Sequence, residues 1–396
     1  FNLAVKKIGD EEDSKSILKQ LGCLMIYSGL TLFTKEVSSE TFYELVAIYE
    51  TSTNPLYQNI FNNLHKRLVT SNQETFSLAS ANAFNASKVN SKPHKNSVES
   101  KQDRLRQRFG LLESHDTASN DSVSSIATSS SDNMAVFQIF DQIQRLVISQ
   151  QDFLLKFFHL SNEDSTLKSY ILKYPSEERS NLLNGTIHEV DFDRDNARDI
   201  YNSMSSIFQP TFDDLMKSVV QMLRSNQKIT PSIIFYLEVL DKQIASTNQE
   251  FLMTIFKRLI DRLKIDWLKF IENQVKIIDK SVLAHRKVRE VSIIIKNFTS
   301  FFSDIEKSLI ELAHDNVDIN TLGVRTIVNS SYEGLARAIL KNLENEEDEK
   351  SFGRFKLHDD GDHKEKIDHT VNLIQNSNWL LESLSPYKIV TLEQSL

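Results

Sequence analysis

Two acidic clusters come closest to a metal-binding pattern in this sequence. Asp191, Asp193 and Asp195 alternate as the first ligands of a calcium-binding loop do. Asn196 stands where that loop needs its glycine, and Asn202 stands where it needs a bidentate glutamate. We therefore interpret these aspartates as capping groups for the helix that follows.

The second acidic cluster, residues 358–363 (HDDGDH), has side chains that suit a metal ion. It lies in a polar stretch without the aliphatic and aromatic residues that shape a buried site, so a solvated loop is the favoured interpretation. No HExxH motif occurs, and the ten histidines are scattered. We predict neither a metal ion nor a cofactor.

Glycine spacing excludes several nucleotide-binding and hydrolytic motifs. The nine glycines lie at positions 9, 22, 29, 110, 185, 323, 334, 353 and 361. Dinucleotide-binding loops, Walker loops and hydrolase elbows all need glycines closer together than any pair here. The carboxylates lie mostly on charged helix faces, with no sign of a dry pocket that would raise a pKa. We therefore predict that the protein is not an enzyme.

Basic residues form the remaining candidate site, here named the basic cluster. Its members are Lys257, Arg258, Arg262, Lys264, Lys269, His285, Arg286, Lys287 and Arg289. The favoured interpretation is a solvated helix face whose aliphatic stems cover the core. The alternative is contact with an acidic partner or an anionic membrane, where each basic residue contributes about 1 kcal/mol. With a net charge of −8, the chain is not expected to bind nucleic acid.

Composition indicates that helices position these groups. Only nine glycines and six prolines occur in 396 residues, and strands need turns, in which these two residues predominate. We therefore predict an all-α fold. Between Asn248 and Ser281, apolar residues recur every three or four positions opposite a charged face, as in a long amphipathic helix. Such a helix is stable mainly against neighbouring helices, which predicts an extended bundle.

A polar segment divides the chain. The predicted units are an N-terminal helical segment at 1–71, a Ser/Asn-rich flexible linker or loop at 72–132, a middle helical bundle at 133–246 and a C-terminal helical bundle at 247–396. The linker has too few apolar residues to offset the entropy cost of ordering it. Phosphorylation of its serines stays open, as does a short helix at 101–112. Because residue 1 is Phe rather than Met, we expect a piece of a longer protein.

Capping residues predict where several helices begin and end. Asn54 before Pro55 predicts a helix start, and Ser330 with Glu333 has capping-box spacing, which predicts another. Further predicted elements are helices at 39–50, 167–172, 196–208, 211–226, 231–245, 282–312 and 364–384, a brief strand at 186–192, and loops at 70–132 and 344–363.

Aromatic and sulfur-containing residues give predictions of burial. Trp267 and Trp379 lie on apolar stripes and are expected in the core. Cys23, the one cysteine, is expected to be buried among apolar neighbours. No run of 18 apolar residues occurs, so no segment is expected to span a membrane, and we expect a cytosolic protein.

The C-terminal part resembles a known family. Residues 267–278 (WLKFIENQVKII) resemble a W-x-x-F-[IV]-x-x-Q-[IV]-x-x-I signature of exocyst component one, the Sec-three family. Residues 287–306 are similar to that family's basic turn and Phe-rich helix, and 332–343 and 368–380 are similar to its last helices. The resemblance covers about 250–385, and its specificity comes from the order and spacing of these segments.

This resemblance implies a non-enzymatic subunit of the octameric exocyst, which tethers secretory vesicles to the plasma membrane before SNARE-mediated fusion. It implies an elongated rod of stacked helical bundles, with other exocyst subunits as partners. It also implies a cytoplasmic protein, peripheral at plasma-membrane sites of polarised secretion. The family's binding of phosphoinositides and of Rho/Rab-type GTPases belongs mostly to an N-terminal region that we do not expect in these residues.

Three alternatives stay open from the residues themselves. One is a peripheral membrane-binding helical module that uses the basic residues between 257 and 289. Another is a different tethering or scaffold protein. The third is an all-helical regulator of small GTPases, for which the sequence offers no obvious catalytic arginine or glutamine loop.

Overall fold

A computed structural model describes most of the chain. The described residues are 14–75, 123–160, 166–183, 194–245, 247–280, 293–313, 317–352, 367, 370–371, 374–380 and 382–383. All regular elements in these ranges are helical, so the predicted all-α fold is confirmed. The predicted short helix at 101–112 and the predicted strand at 186–192 lie outside the described residues.

The main helices of the described residues are named in their order along the chain. They are α1 (Ser14–Leu24), α2 (Ser28–Val37), α3 (Ser39–Thr75), α4 (Val123–Phe157), α5 (Leu167–Lys173), α6 (Arg194–Ser225), α7 (Thr230–Ile244), α8 (Glu250–Lys280), α9 (Ile293–Ala313) and α10 (Gly323–Phe352). Short 3₁₀ turns lie at Met25–Tyr27, Arg179–Leu182, Gln227–Ile229 and Ile319–Thr321. Residues 374–380 form a further helical segment.

Helices α3, α4 and α6 build the N-terminal half of the core. α3 packs on both α4 and α6. It runs antiparallel to α4, because Tyr49 contacts Gln150 while Arg67, farther along α3, contacts Gln142. The hydroxyls of Tyr49 and Tyr57 both donate to Oε1 of Gln150, at 3.0 and 2.7 Å. All three side chains are fully buried, so this network fixes the register of α3 on α4.

Helix α8 is the centre of the C-terminal half. It packs on α6, α7 and α10, while α9 packs on α7 and α10. The two halves share one apolar core that extends from Leu21 to Leu380. Contacts of α4 with α7 and of α6 with α8 join the halves. The predicted domain division at 72–132 and at 246–247 stays a prediction.

Prolines lie inside two helices where the sequence predicted helix boundaries. α3 continues through Pro55 and α6 continues through Pro210. The helix start predicted at Asn54 and the predicted separation of 196–208 from 211–226 are therefore wrong. Proline disfavours a helix interior but does not exclude it when packing stabilises the helix on both sides of the proline.

A tertiary contact compensates for Pro210. This proline has no N–H to donate to the carbonyl of Ser206, four residues earlier. The side-chain amide of Asn54, on the facing helix α3, donates to the carbonyls of Ser206 and Ile207 at 3.2 Å each. The side chain of Asn54 therefore forms hydrogen bonds with backbone carbonyls of α6 and does not cap its own helix.

Two other helices are longer than predicted. α10 begins at Gly323, so the start predicted from Ser330 and Glu333 is wrong, and the Ser330 hydroxyl donates to the carbonyl of Thr326 instead. α10 also continues to Phe352, through part of the predicted loop at 344–363, where glutamates and lysines favour a helix. Likewise α4 begins at Val123 rather than near 133, since extending a packed helix avoids the cost of nucleation.

The two tryptophans pack in or against the core as predicted, whereas the cysteine does not. Trp267 is fully buried, and Trp379 is partly buried against the core. Cys23 is exposed, which corrects the prediction. It lies on the face of α1 opposite Leu21 and Met25, which enter the core. The apolar neighbours in sequence are not its neighbours in space, because helical rotation turns them away.

Candidate interaction surfaces

The residues of the 267–278 pattern pack inward from α8. Trp267, Ile271, Gln274 and Ile278 are buried, and Phe270 is partly buried against the core. The indole N–H of Trp267 donates to the hydroxyl of Ser331 on α10 at 2.9 Å. Its ring stacks on Phe301 of α9, with ring centroids 6.1 Å apart and an interplanar angle of 7°. This pattern therefore joins three helices through its buried side chains.

A buried ion pair links α9 to α10. Arg325 donates to both carboxylate oxygens of Glu306, at 2.6 to 3.0 Å, and the hydroxyl of Tyr332 donates to the same carboxylate at 3.1 Å. Burial raises the pKa of the Glu306 carboxyl, and the Arg325 guanidinium opposes that rise. With a bidentate arginine this close, we treat Glu306 as ionised. The pair orients α10 against α9.

Lys264 of the basic cluster has a structural role. Its Nζ lies 2.8 Å from Oε1 of Glu238 on α7. The other oxygen of Glu238 accepts a hydrogen bond from the backbone N–H of Val324 at 3.0 Å, in the first turn of α10. A Cβ at Gly323 would lie 2.8 Å from Glu238 Oε1 and 3.0 Å from Lys264 Nζ. Lys264 and Glu238 together therefore link α7, α8 and α10.

Other members of the basic cluster lie on the outer face of α8. Lys257, Arg258 and Lys269 are exposed, and Arg262 Nε lies 3.3 Å from Asp266. Acidic side chains share this face, so its charge is mixed; they include Asp261, Glu272 and Asp279. The remaining members, His285, Arg286, Lys287 and Arg289, lie outside the described residues, so the grouping of the two parts into one cluster stays a prediction.

The acidic clusters provide no metal site among the described residues. No group of three or more histidine, cysteine or acidic side chains close enough to hold a metal ion occurs there. Asp195 lies in the first turn of α6, 3.5 Å from Arg198. A negative charge in the first turn is favoured by the helix dipole, and capping of α6 by these aspartates stays a prediction. Asp191 and Asp193 and the cluster at 358–363 lie outside the described residues.

A shallow cavity lies between α3 and α6 beside Pro210. Its volume is about 200 Å³, and Gln58, His65, Thr211 and Asp214 contribute to its lining. Pockets for small molecules have volumes of about 300–1,000 Å³ and mostly apolar walls. This cavity is smaller and polar, so it gives no reason to infer a substrate.

Within the ranges that the structure describes, the helices contain no apolar stretch of the length that spans a lipid bilayer.

One apolar surface was missed by the sequence analysis. Ile26, Leu30, Phe33 and Val37 lie on the outer side of α2 and its preceding turn; we name them the α2 outer stripe. All four side chains are exposed, with Leu30 at 64% and Val37 at 66%. Their spacing of four, three and four residues was the available signal. This spacing did not stand out in the sequence because α2 also has an apolar inner face. A helix that is apolar on both faces resembles a fully buried helix.

The inner face of α2 is held firmly. The hydroxyls of Ser28 and Tyr170 lie 2.7 Å apart, and His159 Nε2 lies 2.8 Å from the carbonyl of Ser28. The buried Arg179 donates to the carbonyl of Ile26 at 3.0 Å. Burial lowers the pKa of His159 to about 4, so its imidazole is neutral at physiological pH and can donate one N–H to Ser28. The α2 outer stripe therefore projects from a rigid base.

The family comparison concerns the part of the chain from the last residue of α4 onwards. The family described as exocyst complex component Sec3, C-terminal, matches residues 157–396, more than half of the chain. The chain belongs to this exocyst family. No curated protein and no solved structure matches it significantly. The exocyst match includes the 267–278 pattern and the Glu306–Arg325 pair, whereas the α2 outer stripe lies before its first residue.

Proposed function

We propose that the chain is a non-enzymatic exocyst subunit that tethers secretory vesicles to the plasma membrane before SNARE-mediated fusion. It does so through contacts of its helical bundles with other exocyst subunits. Membership in the exocyst family supports this role. We place the protein in the cytoplasm, peripheral at plasma-membrane sites of polarised secretion.

The observation that carries the proposal is the use of the family-pattern residues for packing between helices. Trp267, Phe302 and Tyr332 come from three helices and are fully buried. They stabilise a scaffold whose outer helix faces are available to partners. Side chains that pack between helices are typical of a scaffold protein. Catalysis instead needs reactive groups that converge on a cavity.

Affinity purification of the full chain tests this function. A tagged chain, isolated from its own cells under gentle salt conditions, should recover other exocyst subunits in comparable amounts. A tagged, unrelated helical protein of similar size serves as the control. Recovery of the chain without any other exocyst subunit would contradict the proposal.

A second candidate function is binding to an acidic partner or an anionic lipid surface through the basic cluster. Lys257, Arg258 and Lys269 are exposed, and none of them forms an ion pair with another described residue. Ile265 and Leu268 are half-exposed on the same outer face of α8. Basic side chains beside apolar ones are typical of helices that lie on a membrane surface.

Charge reversal tests the lipid contact. We expect the triple variant Arg258→Glu, Arg262→Glu and Arg286→Glu to lose most of its flotation with vesicles that contain phosphoinositide. Each basic residue near an anionic surface contributes about 1 kcal/mol, so the loss should be about a hundredfold in binding. The matched control reverses three exposed charges on α6, with Arg198→Glu, Lys217→Glu and Arg224→Glu. Flotation that is unchanged by the triple variant would remove lipid binding by this cluster.

A further inference from the structure

Helices α3 and α6 run parallel and in close contact. Asn54 of α3 contacts Ser206 of α6, and two turns farther along both helices Phe61 contacts Phe212, with ring centroids 5.2 Å apart. The prolines inside the two helices therefore lie within about one turn of each other along the bundle. Because proline has no N–H for a helix bond, both helices are weakened at this level.

A side-chain contact replaces the helix bond that Pro210 lacks. The Asn54 amide donates to the carbonyls of Ser206 and Ile207 at 3.2 Å each; we name these two bonds the Asn54 latch. In a regular α-helix the Ile207 carbonyl also accepts the backbone N–H four residues later. A carbonyl oxygen has two lone pairs, so the Asn54 amide fills the remaining one at Ile207.

The hydroxyl of Thr211 is buried beside this latch without a partner. Thr211 is 6% exposed, and its Oγ1 forms no hydrogen bond with the described residues. Thr51 and Thr254, which also lie inside helices, donate to the carbonyl four residues earlier. For Thr211 that carbonyl belongs to Ile207, which accepts from Asn54 instead. Since an unpaired buried hydroxyl costs free energy, the latch satisfies one donor at the expense of another.

Two features next to the latch allow the helices to move. The cavity of about 200 Å³ between α3 and α6 is lined by Gln58 from one side and Thr211 from the other, so it widens when the helices separate. α3 is also weakened just before Pro55, because the Thr51 hydroxyl bonds to the carbonyl of Ala47 at 2.9 Å. Threonine bonds of this kind compete with the helix bonds and bend helices.

We propose that the Asn54 latch is one of two conformational states of the α3–α6 contact. In the latched state, which the structure shows, Asn54 bonds to α6 and the Thr211 hydroxyl is unpaired. In the released state, Thr211 donates to Ile207, water bonds to the Ser206 carbonyl, and α3 moves away from α6 at the level of the prolines. A partner that binds one state more tightly can shift the balance between them. This inference does not depend on the proposed function.

Hydrogen–deuterium exchange of the full chain tests the latch. Peptides that cover 47–62 and 203–215 report its release, because amide exchange follows local opening. Asn54→Ala should speed exchange in both peptides by about tenfold, the effect of losing one or two neutral hydrogen bonds. Asn59→Ala, at an exposed position on α3, is the matched control and should leave exchange unchanged. Equal exchange in the Asn54→Ala variant and the unchanged chain would overturn the proposal.

Thr211→Val distinguishes two states from a simple stabilising contact. Valine resembles threonine in shape but lacks the hydroxyl, so in the unchanged chain it removes the donor of the released state. Exchange should then slow by about threefold. In the Asn54→Ala background the hydroxyl already bonds to Ile207, so the same replacement should speed exchange instead. An effect of Thr211→Val that does not reverse its sign between the two backgrounds would overturn the released state.

Pro210→Ala gives a third measurement that does not involve the hydroxyl. The alanine N–H restores the helix bond to the Ser206 carbonyl. Asn54→Ala should therefore speed exchange in peptide 203–215 less in this background than in the presence of Pro210. An equally large effect would contradict the latch. Circular dichroism confirms that each variant is folded, and Asn54→Ser, whose side chain is too short to reach α6, replaces Asn54→Ala if that variant melts early.

Discussion

Replacement of Arg325 by methionine should destabilise the fold by about 3–5 kcal/mol, because it leaves the buried carboxylate of Glu306 without its cationic partner. Glu306 is 3% exposed and accepts two hydrogen bonds from the Arg325 Nη1 and one from Nη2. Tyr332 is the other described donor to this carboxylate. Urea unfolding followed by circular dichroism measures the loss.

The pH dependence of the Arg325→Met variant provides a second check. Without the guanidinium, burial raises the pKa of Glu306 further above its unfolded value. The folded state then binds a proton more readily than the unfolded state, so the deficit relative to the unchanged chain should shrink as pH falls from neutral towards about 4.3. A deficit that is constant over this range would contradict the presence of an unpaired buried carboxylate.

Two companion variants separate the buried pair from a general loss of charge. Glu306→Gln with Arg325→Met should recover most of the lost stability, since the amide can accept from Tyr332 without a buried charge. Lys276→Met breaks an exposed ion pair with Glu272, 2.7 Å long, and should cost less than about 1 kcal/mol. If Arg325→Met costs no more than Lys276→Met, the buried pair has no special role.

Trp267→Ala should be similarly damaging, with an expected cost of about 3–5 kcal/mol. The indole is fully buried, stacks on Phe301 and donates to Ser331. Its removal would leave a cavity where α8, α9 and α10 meet. Chemical denaturation measures the effect, and the variant should also lose exocyst subunits in the purification experiment, because its C-terminal helices are loosened.

Graded substitutions show whether packing is the cause. Trp267→Phe keeps an aromatic ring but loses volume and the indole N–H, so we expect an intermediate cost of about 1–2 kcal/mol. The neighbouring Leu268 is half-exposed, and Leu268→Ala should cost less than about 1 kcal/mol. Equal costs at positions 267 and 268 would show that Trp267 is not a core residue.

Much of the helical architecture was predictable because it depends on local periodicity. The long helix was predicted between 248 and 281 and extends over Glu250–Lys280. The burial of Trp267 followed from its place on the apolar stripe. The boundaries predicted at Pro55 and Pro210 failed because local preferences compete with packing. The contact of Asn54 with α6 cannot be inferred from sequence neighbours, since it joins residues about 150 positions apart.

The candidate surfaces were predictable only in part. Sequence spacing located basic residues on α8, but not that Lys264 turns towards Glu238 while Arg258 stays exposed. The α2 outer stripe contains the necessary spacing, yet Leu32 and Leu30 are equally apolar and lie on opposite faces. Without neighbouring helices in view, either face could be the buried one.

By itself, the sequence determined that the chain is helical and that its glycines form none of the common nucleotide or hydrolase loops. These properties depend on residues close together along the chain, where helix periodicity and turn chemistry act. Only the tertiary structure decided which apolar face is covered, which charge is paired and which proline a helix tolerates. Each of these outcomes depends on groups from distant helices, and the free energy of burial or pairing exists only once those helices meet.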